Sequence, residues 1–188
     1  MIISNCRVRN VANRLRERVN RSWIAFPPIP ADGQILFYKR DREDFGYLSN
    51  FYISPVEIEG VRYPHTEAYY QSQKSYSLDY RARILEKDRP SWSKYVGDSR
   101  LGHPKLSGKS WFRQRPEDLR ADWDEVKLSV MRTAVRAKFT QNRNLMKALM
   151  RTDDAKIIED SASDEFWGCG SDGSGKNWLG VILMECRA

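Results

Sequence analysis

A mainly helical α+β fold with a small antiparallel sheet is what this 188-residue sequence predicts. Three observations predict it. Stretches with apolar residues at helical spacing outnumber those that alternate. One short alternating run, residues 55–63, turns near Gly60 and reads as a hairpin. No β-α-β rhythm and no internal repeat recurs along the chain.

In order, residues 6–24 place Val8, Val11, Leu15 and Val19 on one helical stripe among arginines. Phe26-Pro-Pro-Ile-Pro30 stops that helix and reads as a linker. Residues 1–33 are therefore a basic N-terminal arm or an extra docked helix, and residues 34–188 form the domain. The arm's arginine-rich, acid-poor composition also suits organellar targeting, as the minor alternative. Residues 34–39 read as a strand. Pro64 and Thr66 open a helix of about a dozen residues, and residues 79–87 form another. From 88 to 120 the chain is rich in Gly, Pro, Ser and charge, as broken helix and loop would be. Asp122 to about Phe139 is the clearest helix, with Asp122 and Glu125 spaced like a capping box. A break at residues 140–144 precedes a short helix with Leu145, Leu149 and Met150. Residues 179–186 form the last helix, after a cluster of glycines.

A chain this long buries a core without disulfides or metals. Its composition, 40 % hydrophobic and 30 % charged, excludes a disordered chain. No apolar run is long enough to span a bilayer, so no membrane partner is expected. The formal charge is +7, but residues 1–33 hold +4 of it, through six arginines against Glu17 and Asp32. The body is only mildly basic, which argues against a nucleic-acid-binding module there. Cys6, Cys169 and Cys186 are odd in number and scattered, and no secretory segment opens the chain, so the cytoplasm is expected. The only histidines are His65 and His103. A metal site would need single distant ligands, so neither a metal nor a cofactor is expected.

Three segments carry candidate chemistry. On a helix, Glu67, Tyr70, Gln71 and Lys74 share one face. A solvated, salt-bridged surface accounts for the charges, but the adjacent Tyr69 and Tyr70 fit a pocket better. Trp123, Lys127, Met131, Ala134 and Lys138 share a side of the long helix. They are either snorkelling lysines on an amphipathic helix or a wall facing an anionic ligand. Residues 167–180 hold five of the eleven glycines. Gly168-x-Gly170-x-x-Gly173 matches a dinucleotide pattern and Gly170 to Asn177 nearly matches a P-loop. Too little chain follows for either fold, and Asn177 replaces the magnesium-binding Ser or Thr. A glycine-rich loop able to approach a phosphate remains, or a structural turn. Asp164 and Glu165 precede Phe166 and Trp167, so a carboxylate and an indole can share a pocket mouth. Residues 46–52 add Asn50 and several aromatics.

Leu48-Ser-Asn-Phe-Tyr52, Thr66-Glu67 through Lys74, Asp122-Trp-Asp-Glu-Val-Lys127, Arg136-Ala-Lys-Phe139 and Trp167-Gly through Leu183-Met-Glu185 occur in this order. Together they resemble the YbiA-like or NADAR (NAD- and ADP-ribose-associated) family over about residues 35–187. The family often has His after the motif glutamate, where this chain has Ala68.

The resemblance implies a YbiA-like fold and N-glycosidase activity on a ribose–nitrogen bond. Its substrate would be a phosphorylated ribosylamine of the early riboflavin pathway or ADP-ribosylated guanine, the latter free or within nucleic acid. Glu67 is the expected carboxylate at the anomeric carbon, with Asp164 assisting the leaving base or orienting the sugar. Trp123, Trp167 and Phe51 belong to the expected binding surface, the indoles stacking on base or ribose. Asn50, Tyr70 and Gln71 would fix hydroxyls. Lys176, Asn177 and the loop at Gly168, Gly170 and Gly175 would bind phosphate, with Lys127, Lys138 and Arg136 adding positive potential. Alternatively, Lys74 or Lys127 forms an imine with ring-opened ribose. The competing functions are a non-catalytic ADP-ribose-binding module and a nucleic-acid-binding protein led by the arginine-rich arm.

Overall fold

A computed structural model describes residues 27–41, 44–97 and 120–188. The predicted stripe at 6–24 and much of the predicted loop region at 88–120 lie outside the described residues.

The first strand, β1 (Gln34–Phe37), buries Ile35 and Phe37 on one face. After a 3₁₀ turn at Gly46–Leu48, β2 (Val56–Ile58) and β3 (Val61–Tyr63) form the predicted antiparallel hairpin, with Val56 opposite Tyr63. Its two turn residues, Glu59 and Gly60, have φ of 53° and 75°. That left-handed pair matches the twist of a tight hairpin.

Three helices follow: α1 (Thr66–Ser72), α2 (Leu78–Leu85) and α3 (Pro90–Gly97). α1 is shorter than the predicted dozen residues. Ser75 Oγ accepts the Ser77 amide and Ser77 Oγ caps α2 through Tyr80 N–H, so hydroxyls redirect the backbone that would have continued the helix. α4 (Trp123–Gln141) is the long helix, and α5 (Arg143–Met150) follows the predicted break. The predicted capping box is absent: both carboxylate oxygens of Asp122 are drawn to Arg120, at 2.9 and 2.8 Å, and no side-chain cap bond to the helix forms.

The unpredicted element is β4 (Lys156–Glu159), which pairs in parallel with β1, Gln34 opposite Lys156 and Phe37 opposite Glu159. Among the described residues the molecule thus has a parallel pair beside the antiparallel hairpin. Four residues with both isoleucines buried show no alternation, which hides a strand of this kind from periodicity. The last helix, α6 (Trp178–Arg187), packs Leu179, Ile182 and Leu183 into the core against β4 and α4.

α4 supplies the middle of that core with Val130, Met131, Ala134, Val135 and Phe139. It also packs on α1, which lies inside the molecule with all seven residues buried. A surface helix buries one stripe. α1 instead carries Glu67 and Gln71 into the interior.

Candidate active site

The start of α1 is held by its neighbours. His65 caps the helix: its Nδ1 accepts the Ala68 amide at 3.0 Å. Burial, with the charges of Arg40 and Lys138, pushes the imidazole down to about 3, so it stays a neutral acceptor. Thr66 Oγ1 donates toward the carbonyl and side-chain oxygens of Asn50, and the Glu67 amide donates to the same carbonyl at 3.4 Å. Asn50 Nδ2 points to Met131 Sδ at 3.2 Å. Both ends of the Asn50 side chain are thereby engaged within the protein, where the sequence suggested a contact to sugar.

Glu67, only 6 % exposed, accepts from Gln71 Nε2 at 2.8 Å. Burial raises its proton affinity, and the charge of Asp164 adds to this. The Gln71 hydrogen bond and the charges of Lys94 and Lys74 oppose it, with burial dominant. One turn along, Tyr70 meets Trp123 edge-on at 5.0 Å and Trp167 at 5.5 Å between ring centres. Phe166 extends this wall, 4.9 Å from Trp167. Burial and the Glu67 charge keep the Tyr70 phenol protonated well above its ordinary range.

Asp164 joins the group from the loop after β4. Its Oδ1 accepts the amides of Phe166 at 3.0 Å and Trp167 at 2.8 Å, so the same carboxylate sets the backbone that carries the indole. Lys74, just beyond the end of α1, donates to the Gly97 carbonyl at 2.8 Å. Its Nζ lies 5.7 Å from the Tyr70 ring centre and 5.8 Å from that of Trp123. Gln71 thus holds the Glu67 carboxyl, the charges of Lys74 and Asp164 act on it, and Tyr70 one turn along carries the contacts to Trp123 and Trp167.

Other predicted residues are placed elsewhere. Lys138 is 1 % exposed and braces the 46–52 segment by donating to the Ser49 carbonyl at 2.8 Å. Burial lowers its ammonium to about 7. Lys127 pairs with Asp124 at 2.6 Å and sits 4.2 Å over the Phe166 ring, at the outer edge of the wall. Arg136 is exposed, and its charge acts on Cys186 of α6. Phe51 lies 5.7 Å below the Lys94 ammonium. Lys176 is exposed, with Nζ 5.7 Å from the Phe166 ring centre.

The glycine loop differs from the expected amide cradle. The N–H groups of Cys169, Gly170, Gly175, Lys176, Asn177, Trp178 and Leu179 all donate to nearby carbonyls. Asn177, with φ 49°, gives its side chain to β4: Oδ1 accepts from Glu159 N–H at 2.9 Å and Nδ2 donates to Ile157 O at 2.8 Å. Gly168 and Gly175 are needed for packing, because a methyl on either would strike backbone or the Ser161 side chain. Gly170, with φ +71°, supplies a left-handed turn.

Two residues of this neighbourhood escaped the sequence reading. Glu159 ends β4, and its carboxyl is acted on by the charges of Asp164 and Glu67. Lys94 of α3 acts on both glutamates. The signal for Glu159 is a carboxylate at the C-terminal end of a parallel strand, where ligands gather in such sheets. Without β4 that signal is invisible.

A family model described as the NADAR domain matches residues 36–188. N-glycosidase YbiA of Escherichia coli (strain K12) is 37 % identical over 156 residues, covering 83 % of this chain and 88 % of that protein. Riboflavin biosynthesis protein VVA0006 of Vibrio vulnificus is 36 % identical over 153 residues, 81 % of this chain and 37 % of that longer protein. The NMR structure of the E. coli protein YbiA superposes with a TM-score of 0.67 at 37 % identity, over 81 % of this chain and 82 % of that one. Fold and relatives together define an N-glycosidase, a hydrolase of N-glycosyl bonds. The chain belongs to the NADAR family. The enzyme names of its relatives weigh against a non-catalytic binding module, and the arm invoked for nucleic acid lies largely outside the described residues. Among the described residues, no helix is long and apolar enough to cross a membrane.

Proposed function

We propose that this N-glycosidase hydrolyses the ribose–nitrogen bond of a phosphorylated ribosylamine from early riboflavin biosynthesis, with ADP-ribose on guanine as the other substrate open to the same chemistry. The observation that carries this is Glu67, a largely buried carboxylate acted on by Asp164 and next along its helix to the Tyr70–Trp123–Trp167 wall. The relative named for riboflavin biosynthesis supports the first substrate class.

As the bond breaks, its electron pair goes to nitrogen and positive charge grows at the anomeric carbon. An ionised Glu67 stabilises that charge and takes a proton from the attacking water, whose oxygen bonds to carbon. Burial makes it a stronger base than an exposed carboxylate. Asp164 assists the leaving nitrogen or orients the sugar hydroxyls. The Trp123 and Trp167 indoles supply the surface for ribose or base, and Gln71 holds the glutamate in place. Lys176 and Lys127 lie at the outer edge, where a phosphate would meet them.

The position of Lys74 favours one second reading. Its nitrogen is near the same aromatic wall, and its charge acts on Glu67. In that route the Lys74 amine adds to the imine carbon of the ring-opened ribosylamine, the substrate's nitrogen leaves as an amine while the lysine imine forms, and water then hydrolyses that imine to free sugar and lysine. Incubating the purified chain with each substrate, followed by mass spectrometry, identifies the bond broken. Borohydride with substrate then separates the routes: a covalent adduct on Lys74 or Lys127 supports the imine, and its absence during turnover supports Glu67.

A further inference from the structure

Glu159 has no task in the mechanism above, yet its surroundings are specific. Its amide donates to Asn177 Oδ1, and its carbonyl accepts from the amides of Ser161 and Cys169, all at 2.9 Å. Gly168 packs so near that carbonyl that an added methyl would lie 2.9 Å from it. The strand end is thus fixed from three sides. The side chain it carries is half-buried, but its Oε2 is sealed from solvent and has no donor. The charged groups acting on it, among the described residues, are Asp164 from the loop after β4, Glu67 from α1 and Lys94 from α3, in that order. Two of these are negative, and the cation is exposed. An ionised oxygen cut off from water, without a donor and near two carboxylates, is expensive to hold; a proton removes that cost.

We propose that Glu159 is a positioning residue of the hydrolytic site: a neutral, proton-bearing carboxyl that acts through Asp164. It limits the negative charge near Glu67 and lets Asp164 hold the Phe166–Trp167 backbone in place. This deepens the glycosidase reading and rests on it only for the effect on turnover. Charge and backbone position are properties of the free protein. Burial and the two carboxylates push Glu159 up to about 8. Above that pH a further negative charge appears beside Asp164, and its grip on the two amides changes.

The test is an NMR titration of the full chain, isotopically labelled, from about pH 5.5 to 10. The Glu159 carboxyl resonance, identified by its loss in Glu159→Gln, is expected to titrate above pH 7, and the Phe166 and Trp167 amides to shift with the same midpoint. In Glu159→Gln, which imitates the neutral acid, that amide step disappears. Titration in the ordinary carboxylate range, or an amide step that survives in the variant, overturns the proposal. In turnover, Glu159→Gln is expected to stay within about 3-fold of wild-type kcat/KM at pH 7 and to lose the alkaline decline. A variant with less than about 1 % of wild-type activity at every pH would mean that the carboxyl transfers its proton in the reaction, which also overturns a positioning role. Should the chain cleave neither substrate while both NMR steps appear, the substrate reading fails and this one stands.

Discussion

The side chains around Glu67 and the glycine loop adjoin at Trp167, yet they treat polar groups in opposite ways. In the loop nearly every amide named above already has a carbonyl partner. Around Glu67 the polar groups are less fully matched: the buried Glu67 carboxyl accepts from Gln71, while Gln71 Oε1 and Glu159 Oε2 are sealed from solvent without a partner. Leaving polar capacity unused in the interior costs stability. Such a cost is retained where function requires it, which is the basis for proposing the chemistry around Glu67 rather than in the loop. The loop, dense in glycine, is there to bring backbone close to backbone.

That contrast is open to breakage. The largest effect belongs to Glu67→Gln, which keeps the shape but removes the base. A fall in kcat of about 10²–10⁴ is expected with an unchanged melting temperature, read from release of ribose phosphate. Near-wild-type rates would move the chemistry away from α1. Next, Gly175→Ala would force a methyl into the backbone of residues 168 and 169. A loss of about 2–4 kcal/mol in a urea titration is expected. Gly173→Ala, where φ is +81° but nothing stands near, should cost only about 1 kcal/mol. Equal, small losses at both positions would mean that the loop yields readily and is freer than described.

A third prediction concerns pH. His65 has a folded value of about 3 against 6.5 in an ordinary environment. Between those values the unfolded chain binds a proton that the folded chain refuses. The contribution is therefore complete above pH 6.5 and lost as pH falls toward 3, by up to about 5 kcal/mol. Denaturant titrations across that window should show the decline in wild type and a flatter curve in His65→Asn, which retains a capping oxygen but does not titrate. The smallest effect is expected for Lys176→Ala, a several-fold rise in KM with kcat unchanged, since the side chain lies outside the carboxylate group. A fall in kcat instead would bring the loop into the chemistry.

Much of the helical frame was legible because α4, α5 and α6 repeat apolar residues at helical spacing, and because Gly60 marks the hairpin turn. The face of α1 was legible through the four-residue step from Glu67 to Gln71. Other features were decided by tertiary context. Lys138 looks like a surface lysine until the 46–52 segment closes over it and offers the Ser49 carbonyl. Asn50 looks like a ligand-facing amide until Thr66 and Met131 occupy both of its ends. Asp122 satisfies a capping pattern in sequence, but Arg120 competes for it more strongly than the helix amides do. Such choices depend on which partner arrives, and local spacing carries no record of that.

The pairing of β1 with β4 joins segments about 120 residues apart in the chain. During synthesis the first of these leaves the ribosome long before the second exists. β1 must therefore wait, its outer edge open to other chains, until nearly the whole domain has emerged. The same delay holds for the groups gathered at Glu67: the strand that closes the fold also brings in the loop bearing Asp164 and Trp167.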